Sequence, residues 1–261
     1  MHMQSIPPVE AFAGTYNTPS YADPMDAVAD FEAHRREWGS SELGSQAIST
    51  RMEIPRGRIR AWENGAMPDV VRGINTARNQ GWLECDVDGE TFAALNRLVA
   101  GVFSGGSISA ELYEPSFSAP DSAVEAQLRA DLEFLGAGCK LVKSNSGNVE
   151  EFRAERDTTV LGRVLVSLGA PRGPKAETVD RLPSYLDDAP VSIQKAFVRV
   201  YVANRGVHIA DKNMVQIMEQ RPDRYSDALA SLIDSVVDVE VRRGVQSMRF
   251  DDSVFDELGL S

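Results

Sequence analysis

Apolar residues recur at helical spacing through most of the chain. In residues 23–38, Met25, Val28, Phe31 and Trp38 form one apolar stripe, and Asp23-Pro24 and Gly39 are suitable helix ends. Further short helices are predicted at about 40–49, 55–65 and 69–81, each bounded by Ser, Pro or Gly. Residues 1–22 are rich in proline and lack periodicity, so they are predicted to form an irregular arm.

Residues 23–84 are therefore predicted to form a helical domain that contains a helix-turn-helix. The helix at 40–49 would be followed by a turn at 50–54 and by an arginine-bearing second helix, with the helix at 69–81 as support. The alternative is an ordinary three-helix bundle with a solvated arginine face. We expect the small core to contain Leu43, Ala47, Ile54, Ile59 and Trp62.

From residue 90 onward, helices alternate with pairs of short strands. Two apolar helices with small residues inside them, at 95–105 and 193–205, end at Gly106 and Gly206, and β-patterned runs follow. A C-terminal glycine lets the chain leave a helix in the left-handed conformation. Helix, two strands, helix, two strands and helix follow in order, twice. We expect an α+β fold in which the two apolar helices pair at the centre of a pseudo-two-fold domain.

Residues 197–206, Phe-Val-Arg-Val-Tyr-Val-Ala-Asn-Arg-Gly, resemble the signature helix of the LAGLIDADG homing endonucleases, Phe-Leu-Arg-Gly-Leu-Phe-Asp-Ala-Asp-Gly. The copy that ends at Gly106 fits less closely. The resemblance covers about 90–250, with repeats at 90–186 and 187–250 and a tail at 251–261. It implies an (αββαββα)×2 fold whose saddle-shaped sheets straddle duplex DNA. The combination of parts is similar to that of the bacterial WhiA regulators, in which the helix-turn-helix lies at the other end.

The nucleases of this family end each signature helix with an acidic residue, and the two acids hold divalent metal ions. Here no Asp or Glu occurs between Glu90 and Glu111, or between Asp188 and Asp211. The resemblance places Gly105 and Arg205 at the catalytic positions, unless one residue has been deleted before Gly105. Hard cations need oxygen ligands, and a guanidinium repels them. We therefore predict no catalytic residue, no bound metal, no cofactor and no enzyme activity.

The chain is acidic, with a formal net charge of −12, but residues 41–83 hold six arginines against four acids. Arginine can donate two parallel hydrogen bonds to guanine or pair with a phosphate. We predict sequence-specific binding of double-stranded DNA and transcriptional regulation. In the helix-turn-helix the expected contacts are Arg51, Arg56, Arg58 and Arg60. On the sheets they are Lys140, Lys143, Lys212, Arg242, Arg243 and Arg249.

Two alternatives stay open: an endonuclease that uses acids from elsewhere in the chain, and a protein-interaction module that has lost DNA binding. A homodimer is also left open. Only five residues are lysines, which with the acidic composition indicates a halophilic, archaeal source. Cys85 and Cys139 lack zinc or disulfide spacing, so a reducing, cytoplasmic location is expected. No apolar run approaches a membrane span.

Overall fold

A computed structural model describes residues 6–40, 43–143, 150–175 and 179–260. The first part of the chain is helical. Its helices are α1 (Val9–Ala13), α2 (Pro24–Ser40), α3 (Ser45–Met52), α4 (Arg56–Glu63) and α5 (Asp69–Asn79). The Asp23 side chain accepts a hydrogen bond from the backbone N–H of Met25 at the start of α2 (2.8 Å). That helix continues through Gly39 instead of ending there.

The irregular arm predicted for residues 1–22 is wrong for residues 9–13, which form α1. Phe12 and Ala13 are fully buried, and Ile6 forms an antiparallel bridge with Cys85. A helix of one turn and a half is too short to show a period in sequence. Its stability therefore comes from packing against α5 and against the helix Thr158–Ser167, and not from its own pattern.

Helices α3 and α4 pack together across a tight turn, as the helix-turn-helix pattern predicts. Glu53 adopts a left-handed conformation (φ 59°) in that turn and ends α3. Ile54, Ile59 and Trp62 are buried, as expected. Leu43 and Ala47 are exposed, contrary to prediction. Helix α3 begins at Ser45, later than predicted, and this shift turns Ile48 toward the core instead.

The second part of the chain contains the predicted repeat. The first copy is α6 (Glu90–Ser104), β1 (Ser107–Ile108), β2 (Pro115–Phe117), α7 (Ser122–Phe134), β3 (Lys140–Lys143), β4 (Glu150–Arg153) and α8 (Thr158–Ser167). The second copy is α9 (Val191–Arg205), β5 (Gly206–Ile209), β6 (Met214–Met218), α10 (Asp223–Val236), β7 (Arg242–Gly244), β8 (Ser247–Asp251) and α11 (Ser253–Leu258). The predicted tail at 251–261 thus contains the last helix of the second copy.

Each copy builds one antiparallel four-stranded sheet, and the strand order is the same in both. The orders are β1-β2-β4-β3 and β5-β6-β8-β7. In the second sheet β7 begins at Arg242, and the turn that joins it to β8 lies at Val245-Gln246. The order and type of the elements confirm an α+β fold with an internal pseudo-two-fold repeat.

Helices α6 and α9 pack against each other at the centre, as predicted. The buried Asn96 side chain donates to the backbone oxygen of Ile193 (2.9 Å) and accepts from the Tyr185 hydroxyl (2.8 Å). Phe103 and Phe197 meet edge to face, with ring centroids 5.8 Å apart. Gly101 does not face the partner helix, because a Cβ there would lie 3.2 Å from the ring of Phe117 on β2.

The terminal glycines of these helices do not adopt the left-handed conformation that the sequence predicts. They are needed because other backbone atoms lie very close to them. A Cβ on Gly106 would lie 2.3 Å from the backbone oxygen of Ser116. Gly206 has an extended backbone (φ −71°, ψ 126°), and a Cβ there would lie 2.6 Å from the backbone oxygen of Val202. Each helix therefore needs glycine because the first strand begins directly against backbone atoms.

The segment at 84–90, between the predicted helical domain and the region of the resemblance, is anchored by residues at and just before its start. Cys85 is buried, and the fully buried Trp82 donates from its indole nitrogen to the backbone oxygen of Leu135 (3.0 Å). Gln80 also reaches Asp157 (3.0 Å). The helical region and the repeat domain are therefore packed together. In the described ranges, no helix has the length and apolarity to cross a membrane.

Candidate nucleic-acid interface

The exposed face of α4 carries two arginines on successive turns. Ile59 and Trp62 point into the core, so Arg56, Gly57, Arg60 and Ala61 lie outside. A Cβ added at Gly57 would meet nothing within 4 Å, which shows how open this face is. Among the described residues, neither Arg56 nor Arg60 has an ion-pair or hydrogen-bond partner. Two like charges one turn apart repel each other, so this face suits a polyanion.

Arg58, the third arginine of α4, has an internal role instead. It donates to the Tyr21 hydroxyl (2.8 Å), and its guanidinium lies 4.8 Å from the centroid of that ring. Tyr21 in turn donates to Asp30 on α2 (2.9 Å), and burial together with this bond raises the pKa of Tyr21. Arg58 therefore holds the loop before α2 against α4, and the DNA contact expected of it stays a prediction.

Arg51, at the end of α3, forms an ion pair with Glu37 on α2 (2.5 Å). Its side chain is 64% exposed, so the pair is solvated and can be exchanged for another anion at little cost. Arg51 therefore stays a weaker candidate for a DNA contact than Arg56 and Arg60.

A row of four residues crosses each sheet in the same register. In the first sheet Ser107 pairs with Ser116, Ser116 with Arg153, and Arg153 with Lys140. Residues paired across strands point to the same face. The next residues along the strands, Phe117 and Phe152, are buried in the core, so this row lies on the opposite face of the sheet, where Ser116 is also buried.

The second sheet has the corresponding row. Val207 pairs with Gln216, Gln216 with Arg249, and Arg249 with Arg242. Both rows therefore place basic residues on the last two strands, Arg153 and Lys140 in one sheet and Arg249 and Arg242 in the other. This match is visible only in the strand register.

In both rows a neighbouring acidic residue partly neutralises the positive charge. Glu151 forms an ion pair with Arg153 (3.4 Å) and accepts from the Ser116 hydroxyl (2.6 Å), while Glu240 pairs with Arg242 (2.9 Å). Lys212 lies on the turn after β5 and lines a surface cavity of about 350 Å³ together with Arg242 and Arg249. The second sheet thus gathers three of the predicted cations.

Two other cations predicted for the sheets fit less well. Arg243 pairs in register with the buried Met248, and its guanidinium forms ion pairs with Asp227 (3.1 Å) and Asp223 (3.6 Å) on α10. Because adjacent strand residues point to opposite faces, Arg243 lies on the face opposite Arg242, and its DNA contact stays a prediction. The backbone of Lys143 pairs with Glu150, and the Lys143 side chain lies outside the described part of the chain.

The C-terminal tips of α6 and α9 lie against each other. Asn204 donates a hydrogen bond to the Ser104 hydroxyl (2.7 Å). A Cβ on Gly105 would lie 3.1 Å from the Asn204 amide nitrogen and 2.6 Å from the backbone oxygen of Ser118. Arg205 is exposed and donates to the backbone oxygen of Met218 (2.8 Å). The structure thus brings together the two positions that the sequence comparison singles out.

Two further cations bind the carbonyl end of α6, and the sequence reasoning missed both. Lys175 donates to the backbone oxygens of Val102 (2.9 Å) and Gly106 (2.7 Å), and Arg221 donates to that of Phe103 (2.8 Å). Burial, joined by the positive charges of Arg221 and Arg205, lowers the pKa of Lys175 to about 8. Both residues lie outside the signature motif, so no motif could reveal them.

Glu219, an acid beside this cluster, already has hydrogen-bond and ion-pair partners. Glu219 is buried, accepts a hydrogen bond from the Tyr201 hydroxyl, and forms an ion pair with Arg221 (3.6 Å). The Tyr225 hydroxyl donates to that of Tyr201 (3.3 Å). Within the described ranges, no group of three or more His, Cys, Asp or Glu side chains is arranged to hold a metal ion. The described tips therefore carry positive charge and hydrogen-bonded neutral groups.

The paired central helices, each followed by a four-stranded sheet of the same strand order, define an α+β fold with an internal repeat, arranged as the resemblance to the LAGLIDADG proteins predicts. No protein-family model and no curated protein matches the chain. Two solved structures are similar to it at 10% sequence identity. Full-length DUF199/WhiA from Thermatoga maritima aligns with a TM-score of 0.45 over 67% of this chain and 59% of that one. The N-terminal LAGLIDADG domain of DUF199/WhiA aligns with a TM-score of 0.43 over 67% and 88%.

This chain therefore spans about three fifths of the full-length WhiA structure. A halophilic or archaeal source stays a prediction.

Proposed function

We propose that the protein binds double-stranded DNA in a sequence-dependent manner and regulates transcription without cutting the duplex. The observation that carries this proposal is the outer face of α4. Arg56 and Arg60 stand there without carboxylate partners in the described chain, beside the small residues Gly57 and Ala61. Small neighbours let the helix enter the major groove closely, and each arginine can read a guanine or hold a phosphate.

The matched rows on the two sheets support a second, less specific contact. Arg153 and Lys140 on one sheet and Arg249 and Arg242 on the other are related by the internal repeat. A duplex laid across both sheets would meet a basic pair at each side. Phosphate contacts supply much of the affinity of a DNA-binding protein and little of its specificity. In this proposal α4 reads the bases and the sheets add affinity.

The absence of cleavage is part of the proposal. Gly105 and Arg205 would stand where family members hold metal, and neither side chain is an oxygen ligand. Lys175 and Arg221 bind carbonyl oxygens beside these positions, and with Arg205 they place three cations near the tip of α6. A divalent cation would be repelled from this position.

The test begins with selection of a preferred duplex from random DNA by the full chain, followed by fluorescence anisotropy against a scrambled duplex. Arg56→Ala/Arg60→Ala should weaken binding to the preferred duplex by about 1–3 kcal/mol per arginine and remove the preference. The matched control is Arg36→Ala/Arg72→Ala, which removes two exposed charges from α2 and α5. A wild-type chain without duplex binding over a range of salt would overturn the proposal in favour of an interaction module.

Cleavage is tested separately on supercoiled plasmid with Mg²⁺ or Mn²⁺. We expect none. Metal-dependent nicking by wild type would overturn the non-enzyme part of the proposal. Glu111→Gln and Asp211→Asn would then show whether the exposed acids next to the two motifs supply the metal ligands.

A further inference from the structure

A second cavity, of about 350 Å³, lies in the helical region between α2 and the carboxyl end of α4. Phe31, His34 and Trp38 contribute from α2, and Trp62 and Glu63 contribute from α4. Its walls are mainly aromatic. The ring centroids of His34 and Trp62 are 5.3 Å apart, those of His34 and Trp38 are 6.2 Å apart and stacked, and Phe31 meets Trp62 edge to face at 5.4 Å.

The polar atoms of this cavity have no partners among the described residues. His34 is only 3% exposed, and both of its ring nitrogens are buried without a hydrogen bond. The Oε1 atom of Glu63 is buried and unbonded as well. Leaving a buried polar atom without a partner is unfavourable, and such atoms are rare in native proteins. Three of them at one cavity indicate that a further group completes the site.

The chemistry of these atoms defines that group. Burial lowers the pKa of His34, against the opposing effect of the Glu63 charge, so the imidazole is neutral at pH 7 and keeps one acceptor nitrogen. The Glu63 carboxylate only accepts. The acceptor nitrogen of His34 and the Glu63 carboxylate therefore call for a donor, and the negative charge of Glu63 favours a cationic one, while the N–H on the other imidazole nitrogen needs an acceptor of its own. The faces of Trp38 and Trp62 also attract cations.

Trp38 supplies an independent indication that this wall is a contact surface. Its side chain is 47% exposed, which leaves much of a large apolar ring facing solvent at the cavity rim. Arg35 also lines the cavity, but it is an exposed residue, so its charge is largely solvated and screened.

We propose that this cavity is a binding site for a small organic ammonium ion, with the ammonium group donating to Glu63 and His34 and the apolar skeleton packed on Trp38 and Trp62. A neutral molecule of the same shape would bind more weakly because it lacks the attraction between the ammonium group and Glu63, and an anion would be repelled by Glu63. Trp62 and Glu63 are the last two residues of α4, so the ligand would tie α2 to the helix proposed to read DNA. That coupling rests on the proposed function, whereas the binding site does not.

The experiment is isothermal titration calorimetry on the full chain with benzylammonium, cyclohexylammonium and tetramethylammonium chlorides. Benzyl alcohol and benzoate serve as the neutral and anionic comparisons. We expect saturable binding of one equivalent of at least one primary ammonium ion, with the alcohol and the carboxylate at least about tenfold weaker. Tetramethylammonium, which lacks an N–H donor, should bind more weakly than the primary ions.

Two variants test the location. Glu63→Gln keeps the shape of the side chain and should weaken ammonium binding at least about tenfold. Trp38→Ala removes the exposed rim and should weaken it without loss of the fold, which the thermal midpoint checks. The control is Glu53→Gln, an exposed acid in the turn before α4, which should bind like wild type. No saturable binding by any of the three ammonium ions, or equal losses in Glu53→Gln and Glu63→Gln, would overturn the site.

A parallel anisotropy titration with duplex DNA separates this inference from the proposed function. Saturable ammonium binding by a chain that binds no duplex would support the site and overturn the DNA-binding function. Duplex binding by a chain that gives no ammonium signal would overturn the site and support the function.

Discussion

The side chain of Asn204 donates a hydrogen bond to the hydroxyl of Ser104, 2.7 Å away, at the point where the two central helices end. The Ser104 hydroxyl donates onward to the backbone oxygen of Ala100 (2.7 Å). A neutral hydrogen-bonded pair thus joins the two halves of the repeat at its centre. In the nucleases that the sequence resembles, the corresponding tips carry paired acids.

The first prediction concerns this pair. Ser104→Ala and Asn204→Ala should each lower the free energy of unfolding by about 1 kcal/mol or more, because each leaves a partly buried polar group without its partner. Since the residues are in contact, the losses should not add. Urea denaturation of both single variants and the double variant measures the coupling, expected at about 0.5–1.5 kcal/mol. Additive losses would show that the bond contributes nothing.

The second prediction concerns the basic pairs on the sheets. Lys140→Ala/Arg153→Ala and Arg242→Ala/Arg249→Ala should weaken duplex binding by similar factors. Each should also lower the slope of log K against log salt by about 2, since each phosphate contact contributes about 0.9. The measurement is anisotropy over a salt series. Arg243→Ala is the control: it breaks the ion pairs with Asp223 and Asp227, so it should affect stability and not DNA affinity. Unchanged salt slopes in both double variants would restrict DNA contact to α4.

The third prediction is a pH dependence set by Lys175. Its pKa is lowered from 10.5 to about 8 in the folded protein, mainly by burial. Between these two pH values the unfolded chain binds more protons than the folded one, so this residue makes stability rise with pH. Urea unfolding from pH 7.5 to about 9.5 should show a more positive slope for wild type than for Lys175→Met. Higher pH is avoided because burial raises the pKa of Tyr16 to about 12, and such tyrosines reverse the trend above pH 10. Equal slopes would contradict the prediction.

The fourth prediction concerns the connection between the helical region and the repeat. Trp82 is fully buried and donates to the backbone oxygen of Leu135. Trp82→Phe removes that bond and should cost about 1 kcal/mol, whereas Trp82→Ala should cost about 3–5 kcal/mol because it also leaves a cavity. Wild type should unfold in one calorimetric transition, and Trp82→Ala should separate it into two. Two transitions in wild type would show that the regions unfold independently.

Much of the element order was predictable from the sequence because it is encoded locally. Apolar residues at helical spacing predict α6, α7 and α9. At the start of α7 the side chain of Asp121 acts as an N-cap and accepts a hydrogen bond from the backbone N–H of Val124 (2.8 Å). The short helix α1 was missed because five residues cannot show a period. The burial of Ile48 was not predicted, because the residue at which α3 begins depends on the packing of α3 against α4 and not on the local sequence.

The sequence alone determined that the chain contains a helical region with exposed arginines, followed by two copies of one helix–strand plan, and that the two signature helices end without acids. Only the tertiary structure decided which of the positively charged side chains have an internal partner. In the folded chain Arg58 contacts Tyr21, and Arg243 forms ion pairs with α10. Lys175 and Arg221 bind the end of α6, and Glu63 lies beside His34. The physical reason is that periodicity is a property of neighbouring residues, whereas the partner of a charged side chain is chosen by contacts between segments far apart in the chain.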